Sequence, residues 1–124
     1  MVQPERYAQS LEKIRRAAAE AGRDLGNFVV GHLTFVTVGR DYESAERAWV
    51  RVLSNRYAQD FGPLARKYGV IGTPAQCVEQ IERFARAGCR YFVMNAIGDL
   101  ADEAGQLETI ASEIIPRMQK AVLT

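Results

Sequence analysis

"GTPAQCVEQIERFARAGCRYFVM", Gly72 to Met94, carries three instructions in order: start a helix, stop it, then run a strand. Thr73 can accept from a free N–H of the first turn, and Pro74 sits where a missing N–H costs nothing. Gln76 can reach back to Thr73, which completes a capping box. Val78, Ile81, Phe84 and Ala85 recur at steps of three and four, so an amphipathic helix is expected, and Gly88 supplies the left-handed residue that ends it. "RYFVMNA", Arg90 to Ala96, then reads as a buried strand. A helix handing over directly to an apolar strand is the grammar of an α/β fold.

Upstream, the same grammar recurs. Pro4 suits a first helical turn, Tyr7, Leu11, Ile14 and Ala18 form an apolar stripe, and Gly22 closes the helix. "FVVGHLTFVTVG", Phe28 to Gly39, is rich in β-branched and aromatic residues, as expected of a strand covered on both faces. Asp41 is the expected N-cap of a helix whose buried stripe is Ala45, Ala48, Trp49, Val52 and Leu53. Residues Asn55 to Ile71 are less regular and read as an excursion between units. Downstream, "IGDLADEAG" leads to a last helix with Leu107, Ile110, Ala111, Ile114 and Met118 in register, and Pro116 should kink or end its regular part.

"AEAGRDLGNFVV" and "ARAGCRYFVM" echo one another, which implies helix–strand units and a parallel sheet with right-handed crossovers. Two strands cannot make a well-covered sheet alone. Either "GVIG" hides a third strand or another chain completes the sheet, and the second is the expectation.

Composition excludes several classes. The 124 residues form one domain, 1–124, with 16 basic against 15 acidic side chains and a net charge of +1. A nucleic-acid footprint needs a basic excess, so none is expected. No apolar run approaches the roughly 20 residues of a membrane span. The expected placement is cytoplasmic. Cys77 and Cys89 should be reduced, partly buried small hydrophobes, and a single histidine, His32, leaves no metal site in prospect.

No nucleophile elbow, phosphate loop or zinc-binding pair is present, so no catalytic residue is assigned. Asp99, Asp102 and Glu103 are read as charges favoured near a helix start rather than an acid/base pair. Ligands of parallel α/β folds lie beyond the carboxyl ends of the strands. That rule singles out Asn95, able to donate and accept at the end of the second strand, and Arg40, able to hold an anion after the first. His32, in mid-strand, is read first as a satisfied core histidine and second as a side chain facing a barrel interior.

Taken together, "PERYAQSLEKIRRAAAEAGRD", the strand after it, "GRDYESAERAW", "IGTPAQCVEQIERFARAGCRYFVMNAIG" and the closing "IIPRM" resemble the C-terminal part of the bacterial-luciferase-like monooxygenases. The resemblance runs from Pro4 to about Met118. It implies an α/β fold that is part of a (β/α)8 (TIM) barrel, its C-terminal units only, with parallel strands, surrounding helices and completion by self-association. It also implies oxidoreductase or monooxygenase chemistry on FMN or a deazaflavin with a small-molecule substrate. Because the family's flavin contacts come mostly from earlier strands, this portion would wall the substrate side, and cofactor binding by the chain alone is not expected. Its partner would be a second copy, in a dimer, or the missing N-terminal barrel units. Two other readings stay open: an inactive half-barrel that self-associates, and a small-ligand binding module at the strand ends.

Overall fold

A computed structural model describes residues 1–123. Three parallel strands carry the fold: β1 (Gly31–Val38), β2 (Val70–Gly72) and β3 (Tyr91–Ala96). They lie in the order β2-β1-β3. Around them run α1 (Pro4–Glu20), α2 (Tyr42–Tyr57), the short α3 (Ala65–Tyr68) after a 3-10 turn, α4 (Pro74–Arg86), α5 (Glu103–Thr109) and α6 (Ile115–Leu123). None of these helices is long and apolar enough to cross a membrane.

The local signals act as their chemistry demands. Thr73 accepts from the Gln76 N–H while the Gln76 side chain accepts from the Thr73 N–H, so the capping box at α4 is complete. Asp41 caps α2 by accepting from the Ser44 N–H at 2.7 Å. Gly22 and Gly88 both have positive φ, 65° and 109°. Each allows a bond spanning five residues, Arg23 N–H to Ala18 and Cys89 N–H to Phe84, that consumes a carbonyl left over at a helix end.

The expected absence of a third strand is corrected. "GVIG" does hold one, with Val36, Thr37 and Val38 of β1 facing Val70, Ile71 and Gly72. It is short because Gly69 precedes it and Thr73 already caps the next helix. The strand expected from Phe28 starts at Gly31, and it is covered on both faces only in its carboxyl half. Thr34, Val36, Thr37 and Val38 are buried, whereas Leu33 is 58% exposed. β3 is likewise not a buried strand, since Tyr91 and Val93 are exposed. Among the described residues it is an edge strand, paired only with β1 from Gly31↔Tyr91 to Val36↔Ala96.

Two cores lie on opposite faces of the sheet. Val36, Val38 and Val70 pack against Cys77, Val78 and Ile81 of α4 and against Ile110, Ile114 and Met118. On the other face Ile71 and Ile97 meet Ala45, Trp49 and Leu53 of α2, with Phe61 and Ala65. Right-handed crossovers running in opposite directions from β1 and β2 put α2 and α4 on opposite faces. Of the stripe expected in α1, Leu11 and Ala18 are buried but Ile14 is not. Pro116 neither ends nor sharply breaks the last helix. A π-type turn, Ile110–Ile114, joins α5 to α6 directly before it. Proline has no N–H to give the ladder, and the wider turn accommodates that loss.

Candidate functional site

The strand ends do form a cavity. Val38, Arg40, Asp102, Gly105, Gln106 and Thr109 line a space of 770 Å³ where β1 meets the start of α5. Gln106 builds its floor. The Gln106 Oε1 accepts from the Val38 N–H at 2.9 Å and its Nε2 donates to the Val38 carbonyl. Beneath it the Thr37 hydroxyl, buried, donates to the Ile97 carbonyl at 2.6 Å and ties the ends of β1 and β3 together.

The three residues singled out from sequence are not brought together. Arg40 lines the cavity, but its side chain is 88% exposed and pairs with Asp41 at 3.4 Å. Asn95 stands beside Phe35 in the β1–β3 register, half-buried, and is not among the residues lining the cavity. His32 lies at the opposite end of the sheet, the second residue of β1. Its ring stacks on Phe84 with centroids 4.2 Å apart, meets Tyr7 edge-on, and bonds the Thr34 hydroxyl through Nδ1 at 2.8 Å. Burial first, and then the N-terminal ammonium, holds its pKa below the ordinary value. His32 is thus half-buried with its Nδ1 hydrogen-bonded, and it also lines a small surface pocket with Met1, Leu33, Phe35 and Tyr68.

Asp99 has a role that sequence reasoning did not assign. It accepts from Arg51 of α2 at 2.5 Å and so fixes the loop after β3 to the helix after β1. Gln106 and Thr37 were also missed. An amide or hydroxyl inside an otherwise ordinary stripe carries no signal until a strand end lies opposite it. Cys77 and Cys89 are buried and free, and burial pushes the Cys77 thiol up to about 12, far from a nucleophile.

Tested as a holder of a flavin or deazaflavin, this donor set does not fit. A phosphate-bearing, planar cofactor needs converging N–H or cationic donors and a broad apolar slot. The cavity offers one exposed guanidinium, and the first turn of α5 beside it is acidic, with Glu103 following Asp102. The residues can bound a pocket, but they cannot hold such a group by themselves.

Comparison with known proteins bears on what that boundary belongs to. The family model of luciferase-like monooxygenases matches residues 1–91. A coenzyme F420-dependent tetrahydromethanopterin reductase from Methanopyrus kandleri is similar in structure, with a TM-score of 0.64 at 19% identity, over 92% of this chain and 42% of that one. So is an F420-dependent secondary alcohol dehydrogenase solved with an F420–acetone adduct, at a TM-score of 0.67 and 21% identity, over 98% of this chain and 41% of that one. At such identities the likeness is one of fold. The chain thus spans about two-fifths of the length of these structures. No curated protein matches it.

Proposed function

Because the chain belongs to the luciferase-like monooxygenase family, we propose that it forms the C-terminal units of a (β/α)8-barrel oxidoreductase dependent on a flavin or deazaflavin. In this reading it walls the substrate side of the pocket and leaves the cofactor to barrel units outside this sequence. β1 and β3, neighbours in the sheet, stand for consecutive barrel strands, and Asn55 to Ile71 is the excursion between them. The observation that carries the reading is the packing of α2. Trp49 and Leu53, fully buried, press it onto the carboxyl half of the sheet, beside the end where ligands of parallel α/β folds bind.

A deazaflavin is favoured over FMN, since both structural neighbours named above depend on coenzyme F420. Such a cofactor supplies hydride transfer to or from a small organic substrate. This chain contributes exclusion of water and shape, through α2, the Arg51–Asp99 tie and the Gln106 floor.

Titration of the chain with FMN and with F420, followed by fluorescence, tests this. No saturation is expected for the chain alone at high micromolar cofactor. Fused behind the earlier barrel units of an F420-dependent relative, the chain should restore F420 binding. Tight binding by the chain alone would overturn the wall assignment, and a folded chimera that binds neither cofactor would overturn the barrel reading.

A second reading, a self-associating half-barrel without catalysis, is favoured by one observation: the outer edge of β3 has no strand partner among the described residues. The small-ligand module keeps weaker support, because of Arg40 and Asn95 it is Arg40 that lines the strand-end cavity.

A further inference from the structure

The gap between the carboxyl ends of β1 and β3 lies wholly within this chain, which supplies both strands and the loops that follow them. In (β/α)8 barrels the loops after the last two strands, with a short extra helix, often seat a phosphate. Such a seat consists of free N–H groups converging on the anion. The short helix is present here as the turn Leu100–Asp102 ahead of α5, but the N–H groups are taken. Gly39 donates to the Gly72 carbonyl at 2.8 Å, Ile97 to that of Val36 at 2.7 Å and Asp102 to that of Asp99 at 2.9 Å.

Val38 differs, because its partner is a side chain. Val36 turns its carbonyl towards Ile97, so by alternation Val38 aims its N–H and C=O the same way, just past the end of β3. The Gln106 amide fills that place, accepting from the N–H at 2.9 Å and donating to the carbonyl. Its stem lies against Gly98, where an added Cβ would stand 3.9 Å from the Gln106 Cγ. Hydrogen phosphate, like an amide, both accepts and donates, and so matches the pair that Val38 presents. The surrounding charge opposes it. Asp102 and Glu103 are exposed at the rim, and Arg40, the one cation lining the cavity, is paired with Asp41.

We propose that Gln106 is a specificity-determining residue, a neutral occupant built into the strand-end gap that keeps phosphate groups out, so that the part of the substrate meeting this wall carries none. What the gap means for substrate rests on the barrel reading above. The exclusion is a property of this chain alone and is tested on it. Two layers produce it. The amide takes the one N–H of Val38 that an anion would use, and the two rim carboxylates repel what approaches. The amide is the decisive layer, because charge at an exposed rim is weakened by solvent and salt.

Titration of the chain with inorganic phosphate at constant ionic strength, followed by the amide resonances of Val38, Gly39 and Gly98, reads this directly. The wild type should show no saturable shift. Asp102→Asn with Glu103→Gln, which removes the rim charge and keeps the amide, should behave as the wild type does. Adding Gln106→Ala to that pair should give a saturable shift at Val38, with affinity at least about tenfold higher, as one hydrogen bond to a charged group supplies. If the alanine variant does not fold, Gln106→Ser takes its place, since its hydroxyl is too short to reach Val38. Saturable binding at Val38 by the wild type, or by the charge variant, would overturn the role of the amide. A folded variant lacking Gln106 that gains no phosphate would make Gln106 a structural cap only. None of these outcomes touches the barrel reading, which stands or falls on the F420 binding of the chimera.

Discussion

Gln106 completes the hydrogen bonding of Val38 from the far side of the sheet, accepting from its N–H and donating to its carbonyl at once. β3 ends at Ala96, opposite Val36, so β1 outruns it by two residues and the Val38 groups would otherwise face a half-buried void. Gln106→Leu should therefore cost about 1–3 kcal/mol, the penalty of an unsatisfied buried pair. Gln106→Glu should cost more, because a carboxylate would face the Val38 carbonyl with no donor. Urea denaturation of the variants measures both.

Gly72 joins the end of β2 to the cap of α4 with φ at 129°, and a Cβ there would collide with the Gln76 Oε1. Gly72→Ala should lower stability by about 1–3 kcal/mol from backbone strain, with loss of the capping box added. The two positions are coupled. Gln76→Ala should cost less in the Gly72→Ala background than in the wild type, since the clash has already displaced that side chain. A double-mutant cycle by thermal unfolding reads the coupling, and strictly additive losses would contradict it.

His32 makes the fold sensitive to mild acid. Its folded pKa lies below the ordinary 6.5, with burial as the main cause, so the unfolded chain takes up the proton first. Stability is then fully present above about 6.5 and falls as pH drops through the window below it. The groups facing His32 are Thr34, Tyr7, Phe84 and the N-terminal ammonium, none of which supplies a compensating negative charge near neutrality. His32→Phe should flatten the slope of stability between about pH 6.5 and 5, where the carboxylates still hold their charge. A slope unchanged in the variant would assign it elsewhere.

Cys77 lies against the Gly72 carbonyl, fully buried, with its thiol pushed up to about 12. Native protein should react slowly with a thiol reagent at both cysteines, and each should become fully reactive in denaturant. Fast labelling of Cys77 in the native state would mean that α4 opens away from β2 far more often than its packing implies.

Much of the chain was legible because its signals are local. Thr73 and Gln76, Asp41 and Ser44, Gly22 and Gly88 each act within five residues, and all behave as their chemistry suggests. The buried, unpaired cysteines follow equally simply. β2 was not legible to the same degree. Three residues show no periodicity, and the strand exists because Val36, Thr37 and Val38, more than thirty positions away, offer it a ladder. Arg40 and Asn95 satisfied a sound rule about strand ends, but the rule does not say which strand-end side chains share a space. Arg40 turned to Asp41, and Asn95 stayed beside Phe35. His32 is half-buried, and its partners Tyr7 and Phe84 come from two separate helices, a meeting that no local pattern shows.

By itself the sequence determined where α1 and α4 begin and stop, where α2 begins, which two runs hold the longer strands, that the fold is α/β, and the family to which the chain belongs. Caps and periodicities are written in neighbouring residues, so they survive without any knowledge of the rest. Only the tertiary structure decided the order β2-β1-β3, the opposite faces taken by α2 and α4, and the amides of Gln80 and Gln106 that complete strand ends. Those outcomes depend on the registers and crossover directions that bury most apolar surface at once, a condition on the whole chain that no short window of it contains.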